Sequence, residues 1–209
     1  MNVAALAPAD AWAQLREGNN RFVAGRPHHP SQDIGDRERL AHGQHPKAVI
    51  FGCADSRVAA EIIFDQGLGD VFVVRTAGHV IDSSVLGSIE YAVDILDVPL
   101  IVILGHDSCG AVEAALGALD NLDIASGHIR DLVERVTPSI LLGRSEGLTT
   151  VDEFEARHVQ ETGKLLMDRS KIISAGVTDG DIGIIGLTYR LADGNVHLCA
   201  AVGDVNDDV

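Results

Sequence analysis

The chain has 209 residues, 46% of them hydrophobic, which is enough to bury the core of one compact α/β domain. Its 31 acidic residues outnumber 16 basic ones and give a net charge of −15. A surface this acidic repels phosphate backbones and anionic lipid, which argues against nucleic acid or a membrane as partner. It favours a neutral substrate, or else a local basic group that overrides the field.

Cysteine usage and the N-terminal segment bear on the compartment. Three cysteines in a chain of this length do not suggest a disulfide framework and are typical of a reducing compartment. Residues 1–10 have neither a basic n-region nor an apolar h-region, so no signal peptide is expected. The apolar runs are too short to span a bilayer. We therefore expect a cytoplasmic protein.

The first predicted element is an amphipathic helix over residues 10–24, in which Trp12 and Leu15 lie on the same stripe as later apolar residues. A stretch rich in Pro, His and Gly follows over 25–46 and indicates a loop with at most a turn of helix. We assign residues 1–46 to an N-terminal helical arm and linker. The helix packs either on a partner subunit or on its own domain, and periodicity does not distinguish the two.

Strand-like and helix-like runs then alternate through an α/β core at 47–209. Strands are predicted over residues 48–52, 71–75, 100–105, 182–190 and 196–202. Helices are predicted over residues 57–65, 83–96, 110–119, 126–142 and 151–175. This alternation predicts an α/β fold whose central, mainly parallel β-sheet is flanked by helices. No domain boundary is visible, so residues 1–209 are interpreted as a single domain.

Local signals mark several ends of these elements. Asp82 or Ser83 is expected to cap the second helix of the core, and Thr150 with Glu153 matches a capping box. The sequence Ala-Asp-Gly-Asn at 192–195 is typical of a hairpin turn. The sheet should therefore have four parallel strands and one antiparallel edge strand.

Two short motifs with metal-ligand side chains follow two of the predicted strands. Cys53 ends the first strand, His106 ends the third, and Cys109 stands at the start of a helix. If these strands are neighbours, their carboxyl ends bring the three side chains together. Zinc prefers thiolate and imidazole ligands, and three protein ligands with an open fourth position are typical of catalytic sites. The alternative is two core cysteines and a capping histidine, and Cys199, within a strand pattern, is interpreted as a core residue.

Asp55 and Arg57 lie just after Cys53, within reach of the open metal position. The carboxylate can orient a metal-bound hydroxide, and Arg57 would keep it ionised and hold it off the metal. Without this partner, Asp55 is itself a good fourth ligand. Gly110 begins a helix whose backbone N–H groups favour an anionic product. An ordinary loop ion pair and a plain helix cap are the alternative interpretations.

The chain resembles the β-class carbonic anhydrases over most of its length. The family motifs Cys-x-Asp-x-Arg and His-x-x-Cys stand at 53–57 and 106–109, and the stretches 72–78 and 88–93 are also similar. The resemblance implies one Zn²⁺ per chain on the two cysteines and the histidine. It further implies a catalytic aspartate–arginine dyad, with the aspartate as fourth ligand in a closed state. It also implies a homodimer or a dimer of dimers.

The resemblance extends to a substrate pocket at a subunit interface. Gln44 of one subunit would meet Phe72 and Tyr91 of the other, although each is also an ordinary loop or core residue. Some bacterial members have a tryptophan three residues before the first zinc cysteine, within an inhibitory bicarbonate site. Ile50 stands here instead, so the chain resembles the plant-like members that lack this site, although Arg75 matches another of its residues.

The function implied is reversible hydration of CO₂ to bicarbonate and a proton by attack of zinc hydroxide on the carbon. One alternative is a hydrolase of carbonyl sulfide or carbon disulfide on the same scaffold. Another is a catalytically silent zinc-binding protein, against which the aspartate–arginine pair argues. His79 is the nearest candidate for a proton shuttle by position, but a surface histidine is the favoured interpretation.

Overall fold

In the computed structural model, which describes residues 6–205, a five-stranded sheet lies between two layers of helices. Residues 1–5, part of the segment in which no signal peptide is expected, lie outside the described residues. The strands are β1 (Ala48–Cys53), β2 (Val71–Thr76), β3 (Leu100–His106), β4 (Gly183–Tyr189) and β5 (Val196–Val202). Their order is β2-β1-β3-β4-β5, with β5 antiparallel to β4 and the others parallel. The predicted fold class is confirmed.

Eight α-helices and one 3₁₀ turn are present in the described part of the chain. The helices are α1 (Pro8–Val23), α2 (Ile34–Leu40), α3 (Ala60–Ile63), α4 (Ser83–Ile95), α5 (Gly110–Asn121), α6 (Ile129–Ser145), α7 (Val151–Arg169) and α8 (Lys171–Asp179). The 3₁₀ turn, Ala77–His79, follows β2 directly. Between residues 6 and 205, no helix is both long enough and apolar enough to cross a membrane.

Both faces of the sheet are covered, so its central strands are apolar along their whole length, as parallel strands usually are. Ile50 of β1 belongs to a core on one face, with Trp12 of α1 and Ile63 of α3. Phe51, the next residue, belongs to the core on the other face, with Ile89 of α4. A third cluster, formed largely by α5 and α6, packs around Cys53, at the end of β1, and Cys109, three residues beyond β3. This third cluster encloses the candidate site.

Helix α1 packs on its own sheet, which decides between the two alternatives for this element. Trp12 and Leu15 are buried in the same core as β1 and β3. The amide of the buried Asn19 donates to the carbonyl oxygens of Ile63, at 3.1 Å, and Gly194, at 2.8 Å. The N-terminal helix therefore belongs to the body of this chain.

The long helix expected over 151–175 is divided in two, which corrects the prediction. Ser170 has extended backbone angles, φ −117° and ψ 115°, between α7 and α8. Its hydroxyl donates to Oε1 of Glu90 at 2.6 Å and accepts from the N–H of Ile173 at 3.2 Å, so it begins α8 as a cap. The helix expected over 57–65 is also shorter, because only Ala60–Ile63 is helical.

The predicted caps are confirmed. The carboxylate of Asp82 accepts from two backbone N–H groups in the first turn of α4. Thr150 and Glu153 form a capping box at the start of α7, in which each side chain accepts from the backbone N–H of the other.

Candidate metal centre

The two predicted motifs meet at the carboxyl end of the sheet. Cys53 ends β1, His106 ends β3, and these strands are direct neighbours. Cys109 is the N-cap residue of α5, which starts just beyond β3. The ligand atoms of these three buried residues all lie within 4.8 Å of one another. The predicted convergence is confirmed, and the three residues form a group that can hold a metal ion.

His106 is oriented for coordination through Nε2. Its Nδ1 lies 2.8 Å from the carbonyl oxygen of Asp107, which accepts a hydrogen bond and therefore fixes the proton on Nδ1. Nε2 then carries the free lone pair, and it is buried without a hydrogen-bond partner. Since buried polar atoms are nearly always partnered, this nitrogen fits a metal-ligand role.

The two thiols differ in their surroundings. The neighbouring Cys109 thiol and the N–H of Gly78, 3.4 Å from Cys53 Sγ, lower the pKa of Cys53 to about 4. The pKa of Cys109 is raised by its hydrogen bond with Cys53 and by burial. A divalent cation bound between the two sulfurs would hold both as thiolates and displace their protons. Cys199 lies apart on β5, where its Sγ donates to the carbonyl oxygen of Gly186 at 3.3 Å.

Asp55 and Arg57 form a bidentate ion pair beside these ligands. Nη2 of Arg57 donates to Oδ2 of Asp55 at 2.7 Å, and its Nε donates to Oδ1 at 3.0 Å. The backbone N–H of Arg57 adds a bond to Oδ1 at 2.8 Å. These hydrogen bonds from Arg57 hold the pKa of Asp55 well below its ordinary value. Oδ2 is also 3.9 Å from Nε2 of His106, so the carboxylate borders the metal position.

Glu155 is a buried carboxylate next to the metal ligands that no sequence motif predicts. Oε1 of Glu155, on α7, accepts from the backbone N–H of His106 at 3.2 Å, and Glu155 is 1% exposed. Burial raises the pKa of Glu155 to about 7. A Cβ on Gly105 would lie 2.5 Å from this oxygen, so the approach requires glycine. Glu155 therefore holds the end of β3 through its backbone.

His79 is not a surface residue, and the favoured interpretation of it was wrong. It is fully buried, with its ring centroid 4.4 Å from that of His158 and 6.2 Å from that of Phe51. Burial lowers the pKa of His79, so the ring is neutral. Nδ1 lies 3.7 Å from Oε1 of Glu155. A buried neutral ring has no direct exchange with solvent, which argues against a proton-shuttle role.

A cavity of about 420 Å³ adjoins one of the ligands, Cys53, and the carboxylate of Asp55. Its lining is mainly small or aliphatic: Cys53, Ala54, Asp55, Ala77, Gly78, Gly110, Ala111, Ala114, Ile129, Leu132 and Val133. Apart from Asp55, no charged residue of the described chain lines it. Gly110 thus lies where the sequence predicts it, beside the metal position at the start of α5.

The three residues of the predicted interface pocket lie elsewhere. Phe72 and Tyr91 have ring centroids 6.3 Å apart, and Tyr91 is 48% exposed. Gln44 lines a separate cavity with Leu40 and Leu68. Among the described residues of one chain, none of the three predicted pocket residues lines the cavity at the metal ligands. The pocket therefore requires a second subunit and stays a prediction.

Comparisons with known proteins agree with this site. The sequence profile described as carbonic anhydrase matches residues 48–196. Carbonic anhydrase 2 of Mycobacterium tuberculosis (strain H37Rv) is 64% identical over 202 residues, covering 97% of this chain and 98% of that protein. The carbonic anhydrase of Mycolicibacterium smegmatis is 64% identical over 200 residues, covering 96% and 97%.

Solved structures agree in fold. The β-carbonic anhydrase CcaA superposes with a TM-score of 0.72 at 26% identity, covering 92% of this chain and 98% of that chain. A β-carbonic anhydrase of Sordaria macrospora superposes with a TM-score of 0.75 at 24% identity, covering 93% and 100%, and shows the fold alone.

A mainly parallel sheet with a Cys-His-Cys group at its carboxyl edge and an apolar cavity beside it is the arrangement of a zinc-dependent lyase of the β class. The chain belongs to the carbonic anhydrase family. The predicted family, enzyme class and zinc cofactor are confirmed.

Proposed function

We propose that this chain hydrates CO₂ reversibly to bicarbonate and a proton, with zinc held by Cys53, His106 and Cys109. The observation that carries the proposal is the buried, unpartnered Nε2 of His106 within 4.8 Å of two thiol sulfurs, beside an apolar cavity. When bound, zinc would acidify water and so provide the nucleophile.

With zinc bound, Asp55 would accept a hydrogen bond from the nucleophile and so orient it toward the substrate. Its carboxylate is ionised, and Oδ2 keeps a lone pair free because it accepts only from Nη2 of Arg57, whereas Oδ1 accepts from both Nε and the backbone N–H. Arg57 fixes the carboxylate next to the metal position and stops it from becoming a ligand. The dyad therefore keeps a coordination position open for water.

The cavity selects an uncharged substrate. Ala111, Leu132 and Val133 supply an apolar wall for a small linear molecule such as CO₂. The product is an anion, and the start of α5 at Gly110 offers backbone N–H groups and the positive end of a helix dipole. An apolar wall on one side and a helix start on the other suit a reaction that converts a neutral molecule into an anion.

The assembly and the location of the protein stay predictions. A homodimer or dimer of dimers is supported by the exposed apolar residues Tyr91 and Ile95 on α4, which are 48% and 59% exposed in the single chain. In such a dimer Phe72 and Tyr91 would complete the cavity together with Gln44 of a second copy. A cytoplasmic location is kept as the sequence suggests it. Sedimentation at assay concentration tests the assembly, and a fully active monomer would contradict it.

A stopped-flow assay with a pH indicator tests the reaction. The zinc-loaded chain should hydrate CO₂ far faster than it consumes carbonyl sulfide, assayed in parallel by sulfide release. Faster turnover of carbonyl sulfide would favour the hydrolase alternative. A chain with one zinc and no turnover of either substrate would favour the silent zinc-binding protein.

A further inference from the structure

Arg75 binds the backbone of the loop that carries the dyad. Nε donates to the carbonyl oxygen of Cys53 at 2.9 Å, and Nη2 donates to the carbonyl oxygen of Asp55 at 2.5 Å. Arg75 lies on β2, in register with Gly52 of β1, so its side chain reaches the loop from the neighbouring strand. One guanidinium therefore spans the segment between a metal ligand and the catalytic carboxylate.

The loop has few other ties to the sheet at this point. The N–H of Ala54 donates to the carbonyl oxygen of Thr76 at 2.9 Å, and the N–H of Val58 donates to that of Asp55 at 3.0 Å. The first bond fixes only the start of the loop, and the second lies within the loop itself. Arg75 alone connects the backbone of Asp55 to another strand among the described residues.

Arg75 makes these bonds in preference to an ion pair. In a chain with a net charge of −15, it has no carboxylate partner between residues 6 and 205. The carboxylate of Asp55, whose carbonyl oxygen Arg75 binds, is already engaged by Arg57. The planar guanidinium supplies two donors in a fixed fork, whereas a lysine ammonium is a single point charge on a flexible stem. The carbonyl oxygens of Cys53 and Asp55 lie where the two donors of this fork reach both of them.

We propose that Arg75 is a positioning residue that holds the backbone of Asp55 so that its carboxylate stays on Arg57 and off the metal. The inference rests on the proposed function of the dyad. Oδ2 of Asp55 is only 3.9 Å from Nε2 of His106, so a small relaxation of the loop would bring the carboxylate to the metal. Arg57 then acts on the side chain of Asp55, and Arg75 acts on its main chain.

The experiment uses cobalt(II) in place of zinc and follows the visible spectrum during a titration with thiocyanate. An open coordination position binds the anion and changes the spectrum, while a position filled by the Asp55 carboxylate does not. Arg75→Met should raise the apparent Kd for thiocyanate by about 10- to 100-fold, which is the usual size of effect when a group that positions metal ligands is lost. Arg75→Lys should restore only part of the response. Arg26→Met, which removes one exposed arginine at the end of α1, should respond as the unchanged protein does.

A second pair of variants keeps the test decisive. In Asp55→Ala there is no carboxylate to reach the metal, so adding Arg75→Met should change the response no further. An equal loss with and without Asp55, or a full response in Arg75→Met, would overturn the inference. Failure of the unchanged protein to hydrate CO₂ would instead contradict the proposed function, because the spectral titration does not depend on turnover.

Discussion

Asp55 and Arg57 are joined by two side-chain hydrogen bonds, of 2.7 and 3.0 Å, and the Asp55 oxygen in the shorter bond is also 3.9 Å from Nε2 of His106. The guanidinium and the metal position therefore lie on either side of one carboxylate oxygen. The carboxylate can bind either the guanidinium or the metal ion. The strength of its hydrogen bonds to Arg57 therefore decides whether the fourth metal position stays free for water.

Removal of either dyad member should stop hydration without removing zinc. Arg57→Ala frees Asp55 to become the fourth ligand, and Asp55→Asn leaves the nucleophile badly oriented. Each should lower turnover by about 10²-fold or more, with zinc content unchanged. The double variant should be little worse than the worse single variant, because the two residues work together.

Stopped-flow assays with zinc analysis check this prediction. Lys164→Ala, which removes an exposed lysine on α7, is the control. Near-normal turnover in Arg57→Ala would show that this arginine is only an ion-pair partner within the loop.

Zinc content should depend on the three converging residues and not on the third cysteine. Cys53→Ala, His106→Ala and Cys109→Ala should each lose most of the one zinc expected per chain, since three ligands hold it. Cys199→Ser should keep it, because that thiol is bonded to a strand carbonyl. Elemental analysis of folded protein, checked by circular dichroism, measures the outcome. Full zinc occupancy in Cys109→Ala would remove that residue from the ligand set.

Hydration should increase toward alkaline pH. Two thiolates neutralise the charge of zinc, so its water should lose a proton somewhat above neutrality. Arg57 holds the pKa of Asp55 well below its ordinary value, so Asp55 stays ionised across the working range and does not produce this rise. The rise should therefore persist in the residual activity of Asp55→Asn. A kcat profile between about pH 6 and 9 checks it, and a maximum in acid would contradict the assignment.

Gly105 should be intolerant of a side chain. A Cβ there would lie 2.5 Å from Oε1 of Glu155 and 2.5 Å from a methyl of Val159. Gly105→Ala should cost about 1–3 kcal/mol in the free energy of unfolding, as overpacked core positions do. Gly117→Ala, inside α5, is the matched control, because its Cβ would meet nothing closer than 3.8 Å, and it should stabilise by about 0.5–1 kcal/mol. Equal urea midpoints for the two variants would contradict this reading of Glu155.

The cap of α7 should make stability depend on pH. Backbone N–H groups of Thr149 and Thr150 lower the pKa of Glu153 to about 2 from an ordinary 4.5. The stabilisation is therefore full above the ordinary pKa and is lost as the pH falls toward the lowered one. Glu153→Gln should lower Tm more at pH 7 than at about pH 3, while Glu38→Gln, on α2, should change it little at either. The same loss of Tm at both values would show that the charge is unimportant.

Much of the fold and of the candidate site could be predicted from short stretches of the sequence. The ligand set, the dyad and the Thr150–Glu153 cap are sequence-local, because a strand end or a helix start determines each one. The break at Ser170 was missed because apolar periodicity continues across it, and its cause includes Glu90, a residue 80 positions away. Glu155 and the burial of His79 were missed for the same reason, since only the packing of α7 on β3 brings Glu155 to the ligands.

Zinc titration of the metal-free protein tests the central claim most directly. The chain is stripped with a chelator, zinc is added in steps, and CO₂ hydration is followed at each step by stopped flow. Catalysis should be absent without metal and should rise linearly to a plateau at one zinc per chain, with no such rise in Cys53→Ala. Hydration by the metal-free chain, or a rise that Cys53→Ala shares, would contradict the claim.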